Sequence, residues 1–141
     1  MSYLTSQNMI DRFGDRRLAE VTTREGVVGE IDAAVLQVAI DDATAEVESY
    51  VSGLYDTANP PRALTVHAAA IAWYRLLGDR APVVEGAKDN YELALAFLRR
   101  AREGKVSLGD ETPTDTAAGK SQAPQTSAPS ATFSRDTLAG F

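Results

Sequence analysis

A stretch of 23 residues, 110–132, contains no Val, Ile, Leu, Met or aromatic side chain, and it limits what this chain can fold into. Such a segment cannot bury enough apolar surface to offset the entropy that it would lose on ordering. A single folded body is therefore expected in residues 1–104, which are enough for one domain. Residues 105–141 are predicted to form an extended C-terminal arm.

Large apolar side chains return at the end of the arm, in residues 133–141. Phe133, Leu138 and Phe141 lie there around a single Arg135. Aromatic residues and arginine are enriched at the energetic centres of protein interfaces. The composition therefore favours a docking tip that binds a second protein through these four residues. A terminal segment with two aromatic residues and no partner is the alternative that composition leaves open.

Hydrophobic periodicity predicts an all-α body, a small helical bundle with one long amphipathic helix. That helix is expected over 32–55, and a shorter one over 5–13 is followed by an irregular connector with room for another turn of helix. Two further helices are expected over 61–77 and 82–103, and no stretch has the sustained alternation of a strand. The apolar stripe of the long helix is predicted to contain Leu36, Ile40, Ala43, Val47, Tyr50 or Val51, and Leu54.

The helix predicted over 61–77 has almost no polar face. A helix of this kind in a soluble protein lies at the centre of its domain or in a subunit interface. Trp73 and Tyr74 belong to this helix, and Tyr50 and Tyr55 lie near the end of the long helix. These four aromatic residues are candidates for a subunit interface, with a place in the core as the alternative.

Charge and composition exclude several classes of protein. The formal net charge is −6, of which the arm contributes −1, so the body is acidic and unlike a general nucleic-acid binder. The chain has no cysteine, which excludes disulfides and thiolate metal sites. The loop 23–32 lacks the acidic ligands of a calcium site. The longest apolar stretch, 66–77, is too short to span a bilayer.

No catalytic arrangement is visible in the sequence. His67 is the only histidine and lies in an alanine-rich helix, where a packed or hydrogen-bonded imidazole is expected. Asp41 and Asp42 are adjacent and point in different directions on a helix, and Glu46 and Glu48 diverge likewise. We interpret these carboxylates as a solvated acidic face. The sequence predicts a protein that is not an enzyme and that uses no cofactor or metal.

Several short segments, taken in their order and spacing, resemble a known family. They are Tyr3-Leu4-Thr5, Arg12-Phe13-Gly14, Ile31-Asp32, Asp42-Ala43, Glu46, Tyr50, Tyr55, Pro60-Pro61, Ala72-Trp73-Tyr74-Arg75-Leu76, Tyr91, Leu98, Gly104-Lys105-Val106-Ser107-Leu108-Gly109, Phe133-Ser134-Arg135, Leu138 and Gly140-Phe141. With them the chain resembles the head–tail connector, or adaptor, proteins of Mu-like bacteriophages and prophages. The resemblance extends over essentially the whole chain.

The resemblance implies a structural virion protein that forms a dodecameric ring beneath the portal, in the neck of the particle. Such a ring extends the DNA channel and offers a platform to the tail or the next connector. The implied partners are the portal, neighbouring copies, and a downstream connector, stopper or tail protein. DNA would pass through without sequence-specific binding, and no membrane is involved. The resemblance also implies assembly in the cytoplasm of a bacterial host and an arm, 105–141, that docks on the portal or a neighbour.

A second hypothesis belongs to a different class of function. It is a soluble, non-catalytic regulatory or adaptor module that recruits a host protein through its C-terminal peptide. Stoichiometry separates the two hypotheses, because a connector is present in purified particles at ring copy number and a regulator is absent from them.

Overall fold

The computed structural model describes residues 3–23 and 29–108. These residues form five α-helices and no strand, so the predicted all-α fold is confirmed. The helices are α1 (Ser6–Phe13), α2 (Asp15–Thr22), α3 (Ala33–Val51), α4 (Arg62–Leu77) and α5 (Ala87–Arg102), with a short 3₁₀ helix at Gly78–Arg80.

The N-terminal residues form two short helices rather than one. Thr5 and Asn8 cap α1 reciprocally, since the side chain of each accepts a hydrogen bond from the backbone N–H of the other. Gly14 ends α1 with φ 81°, a conformation that favours glycine, and α2 begins at the next residue. The connector, which we predicted to be irregular with room for another turn of helix, is the eight-residue helix α2, and it buries Leu18 and Ala19.

The long amphipathic helix is α3, which is about 28 Å long at the standard helical rise. Asp32 caps it by accepting hydrogen bonds from the backbone N–H groups of the second and third helical residues. Its predicted stripe is buried as far as Val51, where the helix ends, followed by Gly53 at φ 79°. The prediction that the helix continues to Tyr55 is wrong. Leu54 therefore lies outside the stripe and is 48% exposed.

The apolar helix α4 lies at the centre of the bundle, between α3 and α5. Its buried side chains are Leu64, Ala68, Ala69, Ile71, Ala72, Trp73, Leu76 and Leu77. The alanines among them have short side chains, so the backbones of α3 and α5 can approach closely. Of the two places open to a helix of this composition, α4 takes the centre of the domain.

Helix α5 begins at Ala87, five residues after the predicted start at Pro82. The intervening residues form turns, and Gly86 precedes the helix with φ 78°. Beyond α5, Leu108 is buried and borders the same surface hollow as Pro60 and Pro61. Leu108 of the predicted arm thus packs against the body, and the arm beyond it lies outside the described residues.

Two buried threonine hydroxyls differ in their hydrogen bonding. Thr22 is fully buried, and its Oγ1 donates to the carbonyl of Leu18 at 2.8 Å and accepts from the N–H of Asp32 at 3.1 Å. It therefore links the end of α2 to the start of α3. The Oγ1 of Thr44 in α3 is buried and has no hydrogen-bond partner among residues 3–23 and 29–108.

This difference predicts opposite outcomes for the same substitution. Thr22→Val leaves the N–H of Asp32 without its acceptor, and we expect the free energy of unfolding to fall by about 1–3 kcal/mol. Thr44→Val removes a buried hydroxyl that makes no bond, so we expect no loss or a small gain. Urea unfolding followed by circular dichroism measures both changes. Equal losses in the two variants would contradict the assigned role of Thr22.

Candidate interaction surface

The predicted docking residues and the predicted interface residues differ in where they lie. Phe133, Arg135, Leu138 and Phe141 lie outside the described residues, so their role in docking stays a prediction. The four aromatic interface candidates are all described, and the structure places them in two separate regions of the body. Trp73 and Tyr74 belong to α4, while Tyr50 and Tyr55 lie at and beyond the end of α3.

Trp73 packs against the N-terminal helix of its own chain. Its side chain is stacked on Phe13, with ring centroids 4.5 Å apart and planes within 7° of parallel, and the residue is only 8% exposed. Two surface grooves, of about 420 and 580 Å³, both have Trp73 in their walls. The first of them also contains the exposed side chains of Val66 and Leu93. A role for Trp73 in subunit contacts stays a prediction, and any such role would act through these grooves.

Tyr74 belongs to a polar cluster that joins three helices, here called the Glu46 cluster. It consists of Glu46 on α3, Tyr74 and Arg75 on α4, and Tyr91 on α5. One carboxylate oxygen of Glu46 accepts from the Arg75 guanidinium at 2.7 and 3.3 Å, and the other accepts from the Tyr91 hydroxyl at 3.3 Å. The Tyr91 ring is stacked on Tyr74 with centroids 4.2 Å apart.

Two residues of the Glu46 cluster have shifted pKa values. Burial raises the pKa of Tyr91, and the negative charge of Glu46 raises it further. The hydrogen bond to Glu46 raises the pKa of Arg75. Both donors therefore keep their protons at neutral pH, and their hydrogen bonds to Glu46 join α3, α4 and α5.

The sequence-based interpretation of Glu46 as part of a solvated acidic face is wrong. Its side chain is 18% exposed, because this face of α3 is turned toward α4 and α5. Asp42, one turn earlier on α3, remains exposed and lies 4.0 Å from Arg75. The signal that could have revealed the cluster is the presence of Arg75 in an otherwise apolar helix, since a buried helix rarely contains an unpaired cation.

Tyr55 fastens the chain that follows α3 to the start of the protein. Its hydroxyl donates to the Glu48 carboxylate, and its ring meets that of Tyr3 edge-on with centroids 6.4 Å apart. Tyr3 is buried, and its hydroxyl donates to the carbonyl of Thr44 at 3.3 Å. Burial, together with the charge of Glu48, raises the pKa of both tyrosines. Tyr50 is half-buried against the core, and subunit contacts through Tyr50 and Tyr55 stay a prediction.

An apolar groove between α3 and α4, here called the α3–α4 groove, was not anticipated from the sequence. It has a volume of about 280 Å³ and is lined by Ala34, Val35, Val38, Ala39, Asp42, Arg75 and Leu76. Val38 is 60% exposed there, and it is an apolar residue on the outer side of α3, which it shares with polar residues. The pair Val35 and Val38, three residues apart, is the signal that could have identified an apolar patch on this side.

The single histidine is half-buried and packs against an aromatic ring. The His67 ring is stacked on Phe97 with centroids 4.1 Å apart and an angle of 25° between the planes. Burial lowers its pKa below the usual 6.5 because the protonated imidazole loses hydration there.

This shift gives the stability a pH dependence. Since the unfolded chain binds the imidazole proton at a higher pH than the folded one, protonation favours unfolding. The free energy of unfolding is expected to decrease as pH falls through 6.5 toward the pKa of the folded state. In urea titrations at several pH values, we expect the free energy of unfolding of His67→Gln to decrease less with falling pH than that of the unmodified protein. Identical slopes would show that His67 is not desolvated.

The described residues lack two features, a cluster of metal ligands and a helix that could span a membrane. No group of three His, Cys, Asp or Glu side chains that could hold a metal ion occurs in residues 3–23 and 29–108. Within the same residues, none of the helices combines the length and the apolar character needed to cross a lipid bilayer. The expectation that the chain has no enzymatic activity stays a prediction.

Comparison with known proteins relates the chain to bacteriophages. Residues 3–126 match the model of the family described as "Bacteriophage Mu, Gp36". The "Mu-like prophage FluMu protein gp36" of Haemophilus influenzae is 29% identical over 141 residues, which cover 99% of this chain and 97% of that protein. "Gene product J" of Escherichia phage Mu is 26% identical over 116 residues, which cover 81% of each protein.

Proposed function

The chain belongs to the bacteriophage Mu Gp36 family, and we propose that it is a structural virion protein that connects head and tail in the neck of a Mu-like phage. The observation that carries this proposal is the extent of the likeness to prophage protein gp36, which runs through the body and the arm alike. This chain combines a helical body with a polar segment, 110–132, and an apolar end, 133–141. That combination suits a protein whose task is to hold two larger assemblies together.

The proposed partners are the portal, neighbouring copies in a dodecameric ring, and a downstream connector, stopper or tail protein. In this arrangement the bodies form the ring and the arms bind the portal or an adjacent copy. A tethered tip searches only a local volume, so weak tips can hold strongly when many act together. The acidic body suits a channel for DNA, because it offers phosphate groups few cations to bind.

The surface proposed for contact between ring neighbours is the groove that contains Val66, Trp73 and Leu93. Val66 and Leu93 are exposed, and the largely buried Trp73 lines the same groove together with Phe13. Exposed apolar patches next to a buried aromatic ring are typical of protein interfaces. Covering this groove in the ring would remove the side chains of Val66 and Leu93 from water.

Electron microscopy of purified phage particles, with quantitative mass spectrometry of the same sample, tests the proposal. We expect density for the five helices between portal and tail, at ring copy number. The regulatory hypothesis predicts that the chain is absent from particles or present only in trace amounts. Absence from intact particles would therefore overturn the connector proposal and favour the regulator.

A further inference from the structure

The α3–α4 groove is an apolar surface with a charged rim, and no side chain of residues 3–23 or 29–108 fills it. Val38 projects beside Ala34, Val35 and Leu76, so the floor of the groove offers only apolar contacts. At the rim Arg75 binds Glu46 at 2.7 Å but lies 4.0 Å from Asp42. Asp42 therefore keeps most of its capacity to bind a second cation. A peptide with bulky apolar side chains and a neighbouring arginine would match this surface.

Residues 133–141 have this composition. Phe133, Leu138 and Phe141 could fill the apolar floor, and Arg135 could pair with Asp42. We propose that the α3–α4 groove holds residues 133–141 of the same chain, so that the docking tip is covered in the free protein and is released when a partner takes its place. This inference concerns the free chain and does not depend on the proposed role in the neck.

The length of the tether allows this contact. Leu108 lies beside Pro60 and Pro61, at the start of α4, whereas the groove lies at the other end of that helix, near Arg75. The distance between the two ends of α4 is roughly 20 Å at 1.5 Å per residue. The tip is separated from Leu108 by 24 residues, and a polypeptide coil of that length has an average end-to-end distance of about 25–30 Å. The tip can therefore reach the groove without stretching the tether.

Effective concentration favours the chain's own tip over the tip of another copy. A flexible tether of matching length holds its end at an effective concentration on the order of 1 mM. In a solution of about 1 μM protein, the chain's own tip is then about 1,000-fold more concentrated at the groove than any other tip. A tip that binds with a Kd of about 1 mM would be docked in about half of the molecules, and a tighter partner could displace it readily.

Paramagnetic relaxation in the full chain tests the proposal. Because the chain has no cysteine, Ser134→Cys provides a single site for a nitroxide spin label next to the tip residues. We expect strong broadening of the amide signals of Ala34, Val38 and Leu76, with much weaker broadening elsewhere in the body. Broadening that is absent, or spread evenly over the body, would overturn the proposal.

Two pairs of variants make the result specific. Val38→Glu, inside the groove, is expected to remove the local broadening, whereas Val83→Glu, at an 86% exposed valine outside the groove, should retain it. Phe141→Ser changes the tip alone and is also expected to remove the broadening, with Ser127→Ala in the tether as its control. Retained broadening in Val38→Glu and Phe141→Ser would overturn the assignment of this groove.

A mixed sample tests whether the tip comes from the same chain. Isotope-labelled protein without the spin label is mixed with spin-labelled protein of natural isotope content. We expect no broadening at the groove in this sample, and broadening there would overturn the assignment to the chain's own tip. No portal is present in these measurements. A negative result would therefore leave the connector proposal intact, and absence of the chain from phage particles would leave the intramolecular contact intact.

Discussion

Phage that carry this chain without residues 133–141 are expected to produce filled heads and free tails but few joined particles. The deletion removes the three apolar side chains and the arginine that would hold each arm to its partner. Linked weak contacts can strengthen binding by about 10²–10⁴-fold, and a ring loses all its tips at once. We therefore expect infectivity to fall at least about 100-fold in a complementation assay, with separate heads and tails in electron micrographs.

The controls for this deletion separate docking from folding. All the buried side chains identified in the body precede the deleted segment, so the truncated protein should keep the helical content and unfolding midpoint of the full chain. Arg135→Ala should reduce capture of the protein by the portal more than Ser127→Ala, which changes the tether. Full infectivity of the truncated protein, or equal effects of the two alanine variants, would contradict a docking role for the tip.

The sequence allowed the helices to be predicted wherever periodicity and capping agreed. Thr5 and Gly14 mark the two ends of α1 as expected, and Pro61 and Gly78 mark the two ends of α4. The predicted C-terminal end of α3 was too late and the predicted start of α5 was too early, because apolar residues continue beyond both helices. Leu54 follows Gly53, whose positive φ turns the chain away, so an apolar residue at the right spacing lies outside the helix.

The candidate surfaces were less predictable than the helices, because they depend on which sides of the helices meet. Glu46 and Asp42 are one turn apart on α3, yet one is clamped by Arg75 and Tyr91 and the other remains exposed. Periodicity along α3 cannot distinguish them, since the partners come from α4 and α5. The α3–α4 groove has the same origin, because its apolar floor combines α3 residues with Leu76.

Trp73→Ala is expected to cause the largest loss of stability among single substitutions proposed here. The indole is buried, stacked on Phe13, and lies between α1 and the core, so its removal leaves a large cavity. Replacing a buried tryptophan with alanine typically costs about 3–5 kcal/mol. Since small domains are stable by only about 5–15 kcal/mol, the variant should lose a large part of its stability in urea unfolding.

Leu93→Ala is the matched control, because Leu93 borders the same groove but is 65% exposed. Removing the Leu93 side chain should change the free energy of unfolding by no more than about 0.5 kcal/mol. Trp73→Phe keeps a ring that can stack on Phe13, so its loss of unfolding free energy should lie between those of the two alanine variants. If Trp73 served chiefly as a contact between subunits, Trp73→Ala would retain its stability and lose only ring assembly. A large loss of stability in the isolated chain would instead show that Trp73 holds α1 to the body. A ring neighbour could then contact only the small part of Trp73 that is exposed.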